Sequence, residues 1–326
     1  MIQGIKYENE GNEDRACVLR YHQAERIGLG FREHNKTAFN EDIAQFPRRV
    51  VDQNTLTTAD GEIQSKFAIG FEVEKNRLHR GAVKEYPLFS HFETDSSCGY
   101  EAVTNVLPLI PKSMWRTKVF NMFTEAKKII DERYSPSADR NGSGQFRCGG
   151  HMTISVDGMS GCDLLETLKP YCGIIYSLYR FRLRNTYCNS NLFMDEYEGD
   201  MVNHHSNKYQ PCKVMSNRIE FRLPSRITST KDMRDRYELM YEMVDFAIND
   251  GRGFGMLLRK LKPLLTRIYD GDVEKVKEVT ELAKHFQKML NTRKINKHVV
   301  KFADKYSRLR GHWDRTLLRE WDRGNS

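Results

Sequence analysis

The chain has 326 residues, of which 39% are hydrophobic and 29% charged, enough apolar material for one large folded unit or two modest ones. No apolar run approaches the roughly 20 residues of a membrane span, and the first residues lack an apolar stretch of the signal-peptide kind. Seven cysteines, odd in number and without a C-x-x-C pair, read as reduced thiols; the expected compartment is the cytoplasm, and the pattern argues against a zinc ribbon.

The net charge of +8 is uneven, because residues 251–326 hold 19 Lys/Arg against 9 Asp/Glu while the first 250 are slightly acidic. That basic end is either a solvated helical face or a surface for nucleic acid or an acidic partner.

In chain order, residues 1–62 are polar and weakly periodic and are expected to form a loosely packed N-terminal extension. Strand patterns dominate from Gln64 to Thr230. Side chains alternate along a strand, so Phe67, Ile69, Phe71 and Val73 share one face while Glu72 and Glu74 point from the other. Asp95-Ser-Ser-Cys-Gly-Tyr-Glu101 is read as a second polar-faced strand. Val119, Phe120, Phe123, Ala126, Ile129 and Ile130 recur at helical spacing within 115–134, before Ser135-Pro136.

A third strand places His151, Thr153 and Ser155 against Met152, Ile154 and Val156. Residues 163–184 predict a helix that Pro170 should kink or split. Residues 185–215, with His204-His205, read as an irregular polar loop; one this long is usually functional or mobile, and it is expected to close over the sheet as a lid. A fourth strand sets Arg218, Glu220 and Arg222 against Ile219, Phe221 and Leu223. Helices are then expected over 231–250, 254–269, 273–292 and 294–310.

Carboxylates and a histidine converging on one sheet face suit hard divalent cations, and arginines beside them suit an anion that gains charge in reaction. Metals on phosphates with arginines around them are the recurring parts of phosphoryl transfer. The chain has no G-x-x-x-x-G-K-[ST] loop, so nucleotide would bind through metals and arginines. Each element also has a plainer explanation: a wet edge strand for Glu72 and Glu74, a satisfied histidine for His151, a salt-bridge ladder for Arg218 to Arg222. Four such strands together favour a site.

Gly70-Phe-Glu-Val-Glu74, Asp95-Ser-Ser-Cys-Gly-Tyr-Glu101, Gly149-Gly-His-Met-Thr-Ile-Ser155 and Arg218-Ile-Glu-Phe-Arg222 occur in an order that resembles the amidoligase family. That family belongs to the carboxylate–amine ligase superfamily, with glutamine synthetase and glutamate–cysteine ligase. Arg184-Asn-Thr-Tyr-Cys188 and Lys208-Tyr209 resemble two further family segments, so the likeness covers residues 66–227.

The resemblance implies an α+β fold: a curved antiparallel sheet of the glutamine synthetase catalytic-domain type with helices on its outer face, then a helical C-terminal region. The expected division is an extension over 1–62, a catalytic domain over 63–250 and a basic helical region over 251–326 packed on it. ATP and two or more Mg²⁺ or Mn²⁺ ions are the implied cofactors, with Glu72, Glu74, Glu101, His151 and Glu220 as metal ligands. Arg222, with Arg218 and Arg184, would face the phosphoryl group or the reacting carboxylate. Thr153, Ser155, Lys208, Tyr209 and Arg222 would hold nucleotide, and Asp95 is a candidate base.

Thr153 stands where the family has a second histidine, keeping a hydrogen-bond donor but losing a positive charge. The implied reaction joins a carboxylate to an amine through an acyl phosphate. Guanidino kinases share this architecture, and a ligase fold retained as a binding or structural module is the third expectation.

Overall fold

A computed structural model describes residues 18–20, 62–64, 66–75, 86, 88–95, 99–131, 148–180, 182, 188 and 210–292. Its strands are β1 (Val18–Arg20), β2 (Glu62–Gln64), β3 (Phe67–Lys75), β4 (Phe89–Asp95), β5 (Gly99–Thr104), β6 (Leu107–Pro108), β7 (Met152–Val156), β8 (Cys212–Val214) and β9 (Ile219–Phe221). The helices are α1 (Met114–Glu125), α2 (Lys127–Ile130), α3 (Gly161–Leu168), α4 (Gly173–Leu178), α5 (Thr230–Asp245), α6 (Phe254–Ile268) and α7 (Val273–Thr292). The architecture is α+β.

The main sheet runs β4-β5-β3-β7-β9-β8, with β6 also on β3, and every pairing is antiparallel. β3 lies inside the sheet, flanked by β5 and β7. Glu72 and Glu74 are therefore not the wet face of an edge strand. Where β5 gives way to β6, Phe71 keeps Met152 as its partner on β7 but has none on the other side, where its N–H donates to Thr104 Oγ1 at 2.9 Å.

The alternation expected along the strands holds. Phe67, Ile69, Phe71, Val73, Met152, Ile154, Ile219 and Phe221 are buried in one hydrophobic cluster that also takes in side chains of α1 to α7. Phe71 meets Phe123 of α1 edge to face, with ring centroids 6.1 Å apart. Ser113, Ser160 and Ser229 cap α1, α3 and α5, each hydroxyl accepting a backbone N–H three residues on. Pro170 splits its helix as expected: α3 stops at Leu168, a 3₁₀ turn covers Lys169–Tyr171, and α4 resumes at Gly173. α7 packs along α4, where Gln287 Oε1 accepts from Gly173 N–H at 2.8 Å and Tyr176 meets Phe286.

Several expectations need correction. The stretch from Asp95 to Glu101 is not one strand but the closed end of the β4–β5 hairpin, with Asp95 paired to Gly99. Residues 185–215 are not irregular throughout, because Cys212–Val214 forms β8 and completes the sheet beside β9. The 115–134 helix breaks at Ala126 into α1 and α2. Of residues 1–62 the structure describes only Val18–Arg20, which pairs antiparallel with Glu62–Gln64, and Glu62 itself, so the expected extension otherwise lies outside the described residues. The helix expected over 294–310 lies outside the described residues, as do His204 and His205. Among the described residues no helix is long and apolar enough to cross a membrane.

Candidate metal centre

The polar face of the sheet is assembled by register. Glu74 pairs with Glu101 across β3 and β5, while Thr153 stands between Gly70 and Glu220. Glu72 N–H donates to His151 O at 3.2 Å, which places those two side chains together at the mouth of β7. Glu74, Glu101, His151 and Glu220 are 4–7% exposed. Carboxylates are seldom buried to that degree without a counter-charge.

His151 is the hub. Its Nδ1 lies 2.5 Å from Glu72 Oε2 and 3.6 Å from Glu220 Oε1, while Nε2 lies 3.3 Å from Glu74 Oε1. Glu74 is held in turn by Gly149, whose N–H donates to Oε2 at 2.6 Å. Gly149 is required there, because a Cβ would fall 2.6 Å from His151 Nε2 and 3.3 Å from Glu74 Oε1.

Burial comes first among the influences on the imidazole, with Arg222 and Arg182 adding to it. Together they outweigh Glu74 and Glu220 and bring its pKa down to about 4. The ring is then neutral at pH 7, with one N–H and one lone pair. Carboxylate oxygens face both nitrogens, so in either tautomer a lone pair points at an oxyanion. A cation resolves that opposition. If Nε2–H donates to Glu74, the Nδ1 lone pair faces Glu72 and Glu220, and the carboxylate on the far nitrogen orients the ring as outer partners of metal-bound histidines do.

Glu72, His151 and Glu220 each offer a donor atom within 4.8 Å of the others, a group that could hold a metal ion. An ion about 2.1 Å from each donor keeps its ligands roughly 3–4 Å apart, so small side-chain rotations suffice. Three of the five expected ligands thus converge. Glu74 faces the other side of the imidazole, and Glu101 sits buried opposite Glu74 in the next strand.

Arg222 Nη1 donates to Glu220 Oε1, so one oxygen of that carboxylate is already engaged by a base. Burial opposes the Arg222 charge, but Glu220, Glu72 and Glu74 outweigh it and hold the guanidinium protonated, above the usual arginine range. Its Nε is buried without a hydrogen-bond partner among the described residues, as is Ser155 Oγ. Thr153 is buried on the same face opposite Glu220, and Arg218 is buried just ahead of β9. Asp95 is placed only by its pairing with Gly99 at the hairpin end. Arg184, Lys208 and Tyr209 lie outside the described residues.

Sequence inspection overlooked Arg182. It is buried, its Nη1 donates to Cys148 O at 3.0 Å, and its charge acts on His151. The alternating Arg180-Phe-Arg182-Leu-Arg184 was a weak signal, since its register against the site depends on how the chain leaves α4. Comparison of the sequence with models of known protein families gives no match, and comparison with individual curated proteins gives none either.

Proposed function

We propose that the chain is an ATP- and divalent-metal-dependent carboxylate–amine ligase of the amidoligase type, built on a sheet of the glutamine synthetase kind and acting in the cytoplasm. The observation that carries this is a buried His151 set among Glu72, Glu74 and Glu220, with the Arg222 guanidinium on the rim of the same cluster. Bound cations would supply Lewis acidity and a template for the phosphates.

The chain's own residues divide the remaining work. Glu72, His151 and Glu220 would hold a cation, and Glu74 and Glu101, paired across β3 and β5, would offer carboxylates to further ions. Arg222 and Arg182 face the charge that develops on the transferring phosphoryl group. The substrate carboxylate oxygen attacks the γ-phosphorus and ADP leaves. The amine nitrogen then attacks the acyl carbon, phosphate leaves, and the amine proton passes to a base, for which Asp95 is the candidate. Thr153 and Ser155 offer hydroxyls toward nucleotide, and Arg218, Arg184, Lys208 and Tyr209 complete the anion-binding set.

The test is Mn²⁺-dependent ATP binding by the whole chain, followed by product analysis with pooled carboxylates and amines. Amide, ADP and free phosphate support the ligase. A stable phosphorylated acceptor assigns guanidino-kinase-like transfer instead. Absence of metal-dependent ATP binding assigns a binding module, with residues 251–326 the surface for nucleic acid or an acidic partner; affinity falling steeply with salt would mark the former.

A further inference from the structure

The loop that delivers His151 is held from behind by a side chain outside the cluster. Arg236, on α5, and Asp232, one turn earlier, are both 0% exposed. Arg236 Nε donates to Asp232 Oδ1 at 2.7 Å, and Nη2 to Asp232 Oδ2 at 3.1 Å and Arg226 O at 3.0 Å. Nη1 donates to Gly150 O at 3.2 Å and Ser225 O at 2.6 Å. A guanidinium has five N–H donors in one plane, and here each has an acceptor. Its Cζ lies over the Tyr179 ring, 5.3 Å from the centroid. Asp232 is fixed in turn by Thr228 N–H, which donates to Oδ2 at 3.0 Å.

The gripped carbonyls belong to the two segments that carry the cluster. Gly150 immediately precedes His151, while Ser225 and Arg226 follow the strand bearing Glu220. These segments also touch directly, through the Gly149–Ser225 bridge and a bond from Gly150 N–H to Pro224 O at 3.2 Å. Only glycine fits at 150, because a Cβ would lie 2.5 Å from both Arg236 Nη1 and Ser225 O. The two consecutive glycines before His151 thus serve different neighbours: Gly149 admits the imidazole and Glu74, and Gly150 admits the arginine.

We propose that Arg236, held by Asp232, is a positioning residue for the candidate metal centre: by clamping Gly150 and Ser225 together it sets the distance between His151 and Glu220. This rests on the metal-centre reading for its purpose, while the geometry it asserts exists without any ligand. A lysine keeps the charge for Asp232 but is a single point donor that cannot span the carbonyls.

The test uses full-length protein with ¹⁵N-labelled histidine, and the His151 ring resonances are assigned by their loss in His151→Gln. In folded Arg236→Lys those resonances are expected to move, and Mn²⁺ affinity to fall at least about ten-fold. Gln287→Leu, which unpairs Gly173 N–H at the distant α4–α7 contact, should leave both unchanged. Unmoved His151 resonances in folded Arg236→Lys overturn the proposal, and so does an equal shift in Gln287→Leu. If wild-type protein binds no Mn²⁺, the metal reading fails while the ring resonances still decide the positioning role. Should Arg236→Lys not fold, Asp232→Leu/Arg236→Met takes its place; failure of both to fold overturns positioning in favour of a purely structural role.

Discussion

Arg236, fully buried, and Arg222, half-buried, each stand beside a carboxylate, and they differ in how completely they are bonded. Arg236 has an acceptor for every N–H and a carboxylate partner as deeply buried as itself. Arg222 grips one oxygen of Glu220, leaves its Nε without a partner among the described residues, and sits beside a histidine whose lone pair must face a carboxylate. A saturated cluster stabilises one arrangement and has nothing left to offer a ligand. An unsaturated one keeps bonding capacity that only a ligand can use. The difference separates scaffold, on α5, from site, at the end of β9.

That contrast can be broken most directly by removing each arginine. Arg236→Ala leaves Asp232 buried without its counter-charge and should cost about 3–5 kcal/mol of stability in urea denaturation. Arg222→Ala should cost less than half as much and instead abolish the Mn²⁺-dependent gain in ATP binding. Equal stability losses would erase the distinction.

Acid gives the next largest effect. His151 has its folded pKa depressed to about 4 from an unfolded value near 6.5, so the unfolded chain takes up the proton first. Its contribution is fully present above pH 6.5 and is lost as pH falls toward 4, on the order of 3 kcal/mol. Metal-free protein should show that slope in denaturation midpoints, and His151→Gln should flatten it.

Glu72→Ala/Glu74→Ala sharpens the other side of the comparison. Removing crowded carboxylates should lower Mn²⁺ affinity by about 100-fold, read by calorimetry, while leaving stability unchanged or raised, as expected where a site holds strain. Gly149→Ala is a smaller perturbation: its methyl must displace the imidazole, with a loss of about 1–3 kcal/mol and a parallel weakening of Mn²⁺ binding.

The smallest effect is chemical. Burial pushes the Cys172 thiol up to about 12 and raises those of Cys188 and Cys212, whereas Cys162 is exposed. Among these, alkylation of folded protein at pH 8 should mark Cys162 alone.

Much of this was legible from residue order because it depends on periodicity. A period of two put Glu72 and Glu74 opposite Phe71 and Val73, and a period near 3.6 marked α1, α6 and α7. Pro170 split its helix because its ring removes an N–H and crowds the preceding turn, although Pro263 is carried inside α6 without a break. What escaped was short or nonlocal. The three residues of β8 are too few to display a period, and nothing local in Asp95 to Glu101 distinguishes two paired strand ends from one strand.

Asp232 and Arg236 show where local pattern ends. Four residues apart on a helix, they read as an exposed ion pair worth a few tenths of a kcal/mol. Folding instead buries both against the Gly149–His151 loop. By itself the order of residues determined which side chains share a face, because that follows from backbone geometry within one element. Which faces meet, and so whether a charge is bathed in water or committed to three carbonyls, was decided only by packing, since desolvation depends on neighbours distant in the chain.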